Sequence, residues 1–202
     1  IMNNVTLLAV PLFIFMGTIL EKSGIAASML KNMALAFRSV KGGLSISIIV
    51  VGALLAASTG IVGATVVTMG LMSLPILINQ GYDKSFSAGL VASTGTLGQI
   101  IPPSIALVLL GDVMSNAYQR AQNDMGIFSQ QTVTVGDLFI GSIVPGALIC
   151  IGYLIYTIYK NQINSNINDH TIDSKINIVN LFKTLALPFL LIFLVLGSIF
   201  AG

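Results

Sequence analysis

Apolar positions in this chain fall into long uncharged tracts divided by short polar turns, and only one segment shows an amphipathic stripe. Residues 1–20 carry VTLLAVPLFIFMGTIL, which with its flanks is one bilayer crossing long. Residues 21–41 read differently. Ile25, Met29, Met33 and Phe37 recur at every fourth position while Lys22, Ser23 and Lys31 are polar, the pattern of a helix lying in the membrane interface. Residues 44–79 form one uncharged tract, too long for a straight crossing of about 20 residues. Its middle, AASTGIVGAT, is small and hydroxylic. A long tilted helix and two half-length helices turning back at residues 58–63 both fit this tract. The second, a re-entrant hairpin, fits better because STG is a poor helix interior and both arms are short.

After the polar turn NQGYDK, residues 84–111 form a second tract, interrupted by STGTLGQIIPPS at residues 93–104. Two glycines and a proline pair there predict a broken transmembrane helix. Residues 112–137 are polar and read as a partly helical loop outside the bilayer. Residues 138–160 form another span, and the Asn-rich residues 161–177 a connector. A last span covers residues 178–202, with Pro188 a kink.

Composition places this pattern in a membrane. The chain is 55% hydrophobic and 8% charged, against about 25% charged in soluble domains, so a globule could not cover itself with polar groups. The fold class expected is an all-α integral membrane protein. A net charge of +2 with no basic run gives no sign of a nucleic-acid partner. Cys150 lies in an apolar run and reads as a packed thiol, and His170 reads as a solvated loop residue. One of each cannot build a metal site or a nucleophile–base pair, so no catalytic residues and no enzyme activity are expected. The chain begins at Ile1 and stops just after an apolar run, which reads as a fragment of a longer membrane protein.

Charge supports the hairpin. If residues 44–79 turn back, Lys22, Lys31, Arg38, Lys41, Lys84, Lys160, Lys175 and Lys183 share one side, and only Arg120 lies opposite. That is eight of the nine basic residues, a strong positive-inside bias. A straight crossing would separate Lys84 from Arg38 and Lys41.

Broken helices persist in hydrocarbon only where protein or water satisfies the freed backbone groups, and there those groups become ligands. Half-helix N-termini suit anions, while unwound carbonyls and half-helix C-termini suit a hard cation. The hydroxyls of Ser58, Thr59, Thr65, Ser93, Thr94, Thr96 and Ser104 add neutral oxygens. Neither residues 44–79 nor residues 85–111 contain an ionisable side chain, which points to sodium rather than a proton as the coupling ion. The plainer explanation, close helix packing through small residues, serves each motif singly but not their placement in neighbouring tracts.

The segments LLAVPLFIFMGTILEKSGI, GATVVTMGLMSLPILINQGYDKSFSAGLVASTGTLGQIIPPSIALVLLG and TVGDLFIGSIVPGALI closely resemble the large membrane subunit of tripartite ATP-independent periplasmic (TRAP) transporters. The resemblance runs over nearly the whole chain, and its GTLG-x-IIPPS core is specific. It implies most of the first inverted repeat of an elevator-type transporter, with residues 21–41 as the arm carrying the moving part. It also implies a sodium gradient as driving force, no further cofactor, and carboxylate substrates such as C4-dicarboxylates or sialic acid. A soluble periplasmic binding protein and a small membrane subunit would be partners, in the bacterial cytoplasmic membrane. Carried over residue by residue, Ser58, Thr59, Gly60 and Gly63 would face Thr94, Gly95, Thr96 and Gly98 and hold sodium. Thr65, Pro102, Pro103 and Ser104 would lie by the substrate carboxylate. The sequence departs from the family pattern in its long segment after Asp112 and in Gln99, where proline is common. A stand-alone sodium/dicarboxylate symporter of related architecture and a non-transporting scaffold subunit are the alternatives.

Overall fold

The computed structural model of the chain describes residues 5–37, 39–127, 132–163 and 178–200. Among the described residues every regular element is helical. The order is α1 (Val5–Lys22), α2 (Ile25–Ala36), α3 (Gly43–Thr59), α4 (Val62–Asn79), α5 (Lys84–Thr96), a 3-10 turn (Leu97–Gln99), α6 (Ile105–Asp124), α7 (Val135–Ile163) and α8 (Ile178–Phe200). Helices α4 and α7 are long and apolar enough to cross a membrane, as is the bent pair α1–α2 taken as one span. Arg38, loop residues 128–131 and connector residues 164–177, with His170 and Lys175, lie outside the described residues.

Glycine punctuates the chain where the backbone must turn left-handed. Gly24, at φ 72°, ends the run of α1 and starts α2 at an angle of 59°. Residues 21 and 22 therefore belong to α1, and the helix expected from residue 21 starts at Ile25. Its buried face is broader than a one-in-four stripe: Ala26, Met29, Leu30, Met33, Ala34 and Leu35 are all covered, against α3 and α8.

Helix α3 is the hub. It touches α1, α2, α4, α5, α7 and α8, and 14 of its 17 residues are buried. Its sequence, GLSISIIVVGALLAAST, is apolar or small on every side, as a helix enclosed by others must be. Its buried serines are satisfied within the helix: Ser45 Oγ donates to Gly42 O at 2.7 Å and Ser47 Oγ to Gly43 O at 2.7 Å.

Side-chain register fixes the direction of the neighbouring helices. Gly70 and Gly95 lie against Val91 and Val66 respectively, so α5 runs antiparallel to α4. Gly52 lies against Thr94 and Gly98 against Ala56, so the same stretch of chain runs parallel to α3. Helices α3 and α4 are therefore antiparallel, and the chain reverses at Gly60 and Ile61. The hairpin geometry follows from these contacts alone.

The polar segment after Asp112 is more ordered than hydropathy suggests. Helix α6 continues to Asp124 without a break, since no glycine or proline interrupts residues 112–124. It ends where Gly126 adopts φ 70°. There Gly126 N donates to Asn123 O and Ile127 N to Gln122 O, both at 3.0 Å, the paired bonds of a Schellman ending. Helix α7 opens on a reciprocal cap, with Thr134 N donating to Asp137 Oδ2 at 2.9 Å and Asp137 N to Thr134 Oγ1 at 3.2 Å.

One polar clasp ties the base of the hairpin to the far end of α7. Asn161, 1% exposed, donates from Nδ2 to Ser45 Oγ at 2.7 Å and to Gly42 O at 3.5 Å. Gly42 has φ 79°, and a Cβ there would collide with the Asn161 amide. Losing a hydrogen-bonded amide from a buried site costs about 1–3 kcal/mol. Asn161→Ala in the full-length protein should therefore lower its detergent unfolding midpoint by several degrees. Ser73→Ala should not: the buried Ser73 hydroxyl has no hydrogen-bond partner among the described residues, so its removal is expected to be neutral or stabilising.

Candidate functional site: two facing helix breaks

The two interruptions meet in space. Helix α3 ends as Gly60 turns to φ 63° and its N–H donates to Ala56 O at 2.9 Å. A Cβ on Gly60 would lie 3.4 Å from Pro103 O and 3.5 Å from Ile105 N, both in the second break. A Cβ on Gly98 would lie 2.9 Å from Ala56 O, closer than real side chains approach. Glycine at these positions lets the 3-10 turn lie directly on the last turn of α3. Two further helices close round the breaks through glycines of their own, Gly17 of α1 against Thr59 and Gly146 of α7 against Ile100 and Ile101.

Helix ends give this meeting point its electrostatics. The last carbonyls of α3 have no partner further along the helix and carry its partial negative charge. The first N–H groups of α4 start beside them, and no side chain caps that end. Helix α6 starts from the second break, where Ser104 Oγ accepts from Leu107 N at 3.4 Å and donates to Gln99 O at 2.9 Å. Gly60, Gly63, Gln99 and Ile105, with Val10 and Ile14 of α1, line an open groove of about 480 Å³.

The candidate residues divide by position. Thr59, Gly60, Thr65, Gly98, Pro103 and Ser104 gather at the breaks. Thr59 Oγ1 and Thr65 Oγ1 are hydrogen-bonded at 2.8 Å across the hairpin turn, both buried, and Thr65 Oγ1 also bonds Ile61 O at 2.8 Å. Ser58 is buried and donates to Leu54 O at 2.7 Å. Such back-bonding uses the hydroxyl proton and leaves an oxygen lone pair to accept a cation. Pro102 is buried in the break. Gly63 is exposed on the groove wall, with nothing within 4 Å of a Cβ.

Three others have visible packing or surface roles. Thr94 Oγ1 bonds Leu90 O and Val91 O on its own helix, and the side chain fills the notch at Gly52. Gly95 makes room for Val66 of α4. Thr96 is exposed and bonds Ser93 O at 2.6 Å. Ser104, expected beside substrate, is in the first place the cap of α6. Gly17 and Gly146 were not singled out by sequence reasoning; their only signal is a small residue within a bulky apolar run.

Helices alone among the described residues, two or three of their spans long and apolar enough to cross a membrane, are what a helical membrane protein shows. Residues 1–202 match the family described as "Tripartite ATP-independent periplasmic transporter, DctM component", and the chain belongs to that family. It is 32% identical over 196 residues to the C4-dicarboxylate TRAP transporter large permease protein DctM of Rhodobacter capsulatus, covering 97% of this chain and 44% of that protein. Against the ectoine TRAP transporter large permease protein TeaC of Halomonas elongata, identity is 32% over 154 residues, 76% of this chain and 32% of the relative. The sialic acid TRAP transporter large permease protein SiaM of Vibrio cholerae is 26% identical over 157 residues, 78% of this chain and 33% of the relative. The chain thus spans less than half the length of these curated relatives. No solved structure matches it.

Contact between the breaks gives a paired prediction. Gly98→Ala forces a methyl onto Ala56 O and should cost about 1–3 kcal/mol. Gly63→Ala meets open space and should stay within about 0.5 kcal/mol of wild type. Thermal unfolding of the full-length variants in detergent distinguishes the two; equal midpoints would mean that the 3-10 turn does not rest on α3.

Proposed function

We propose that this chain supplies one half of the transport path of a sodium-coupled permease that imports organic acids by an elevator movement. The observation that carries this reading is the contact of Gly60 with Pro103 and Ile105, which joins two helix breaks in a region without ionisable side chains. Sodium would bind among the terminal carbonyls of α3, the hydroxyls of Ser58 and Thr59, and Gly60 and Gly98, with Thr94, Gly95 and Thr96 supporting the second break. Gly63 and Thr65 stand at the start of α4, where sodium bound at α3 and an anion at the N–H groups of α4 and α6 would attract each other. The substrate carboxylate would lie toward Pro102, Pro103 and Ser104.

The elevator reading draws support from the left-handed glycines on either side of α2, Gly24 at its N-cap and Gly42 at the N-cap of α3. Gly42 is clamped by Asn161, whereas nothing stands within 4 Å of a Cβ at Gly24. Movement of α3–α7 relative to α1 would therefore pivot at Gly24, with α2 travelling as part of the mobile unit. The hairpin would enter and leave on the cytoplasmic face of the bacterial inner membrane, as the basic residues suggest. A periplasmic binding protein would deliver substrate, and a small membrane subunit would complete the assembly. Names of relatives place C4-dicarboxylates, ectoine and sialic acid among the solutes to test.

Uptake by the full-length permease with both partners in proteoliposomes tests the reading. An inward sodium gradient should drive accumulation, and a potassium gradient should not. Ser58→Ala combined with Thr59→Val removes two neutral oxygens and should raise the sodium concentration for half-maximal uptake at least about tenfold. Unchanged sodium dependence in a folded double variant would remove these hydroxyls from the site. Uptake that persists without the binding protein would favour the stand-alone symporter.

A further inference from the structure

A second groove lies between α5 and the last turns of α7, and its inner end reaches Ser93 at the start of the second break. It encloses about 510 Å³ and runs from Asp83 and Lys160 at its mouth to Ser93 and Tyr153 inside. The ten steps from Asp83 to Ser93 rise about 15 Å, half of a hydrocarbon core about 30 Å thick, so the groove is as deep as one leaflet. Its walls are apolar and aromatic: Phe86, Leu90, Tyr153 and Tyr156. Phe86 and Tyr156 approach across it with ring centroids 6.4 Å apart. Gly89 lies on its floor with nothing within 4 Å of a Cβ.

The mouth carries one charge of each sign. Asp83 caps α5, accepting from Phe86 N at 2.9 Å, which fixes its carboxylate at the end of the helix. Lys160 stands in the last turn of α7. Both are exposed, and no ion pair joins them among the described residues. A transmembrane helix filling the groove would have to bury both charges. A lipid with a phosphate and an amine in its headgroup would satisfy both while one acyl chain fills the apolar interior.

We propose that the groove between α5 and α7 holds a zwitterionic phospholipid of the phosphatidylethanolamine type, its phosphate on Lys160, its ammonium on Asp83 and one acyl chain over Gly89. The proposal does not rest on sodium coupling.

Native mass spectrometry of the full-length permease, released from bilayers of equimolar phosphatidylethanolamine and phosphatidylglycerol, tests the proposal. Wild type should retain one phosphatidylethanolamine in preference to phosphatidylglycerol. Asp83→Asn keeps a side chain that caps equally well but loses the charge, so that preference should fall about tenfold. Lys160→Gln should weaken retention of both lipids about tenfold, and Lys160→Arg should restore it. Gly89→Leu should expel the chain, because the side chain enters open space in the groove. Glycerophosphoethanolamine, which has the headgroup and no acyl chains, should not displace the lipid at millimolar concentration. Displacement by it would overturn the lipid assignment in favour of a polar solute. Wild-type lipid retention in Asp83→Asn, Lys160→Gln and Gly89→Leu, each with an unchanged unfolding midpoint, would overturn the site itself.

Discussion

Everything at the centre of this molecule follows from the cost of an unpaired backbone group in hydrocarbon, several kcal/mol for each N–H or C=O left alone. The chain nevertheless stops one helix at Gly60 and another at Gln99. The turn at Gly60 is backed by Pro103 and Ile105, the 3-10 turn lies on Ala56, and α1 and α7 approach through Gly17 and Gly146. Each break is sheltered by the other, so the two are one structural unit and damage to either should be felt at both.

That mutual shelter sets the rest of the packing. A break can be enclosed only if the helix leading to it is surrounded, which is why α3 is buried along nearly its whole length. The surrounding helices must also come close, and they do so at glycines that accept a neighbour's backbone or side chain: Gly52 for Thr94, Gly95 for Val66, Gly98 for Ala56. Away from the breaks the constraint relaxes. The outer face of α7 leaves Ile140, Val144, Leu148, Ile151 and Ile155 exposed, as a helix facing an apolar solvent can.

How much of this was legible in the sequence depended on which force acts locally. The tract at residues 44–79 suggested a turn because STG is a poor helix interior, and the register of α5 against α3 and α4 shows two antiparallel helices meeting at Gly60 and Ile61. The interruption at STGTLGQIIPPS was legible for the same reason. Hydropathy could not show that α6 runs on to Asp124, because a helix ends where its hydrogen bonds can be capped and not where its side chains become polar; the ending was encoded in Gly126. Nor could it separate Thr94, which packs into Gly52, from Thr59, which bonds Thr65 across the turn. Both are threonines beside a glycine in an apolar run, and only the tertiary register tells them apart. The Asn161 clasp joins residues more than a hundred positions apart and left no local trace.

The absence of ionisable side chains from residues 44–79 and 85–111 has a consequence for any carrier built on them. A buried carboxylate or ammonium must be neutralised by a partner in every conformation, and without its ligand it costs several kcal/mol. Hydroxyls impose no such penalty when the site is empty, since those of the hairpin already bond to their own helix or to one another, as Ser58, Thr59 and Thr65 do. On the proposed reading, a sodium ion at the C-terminus of α3 and a carboxylate at the N-termini of α4 and α6 would cancel each other's charge inside the site. The cation would then be required for the anion on electrostatic grounds, and coupling would need no switch beyond the helix ends themselves.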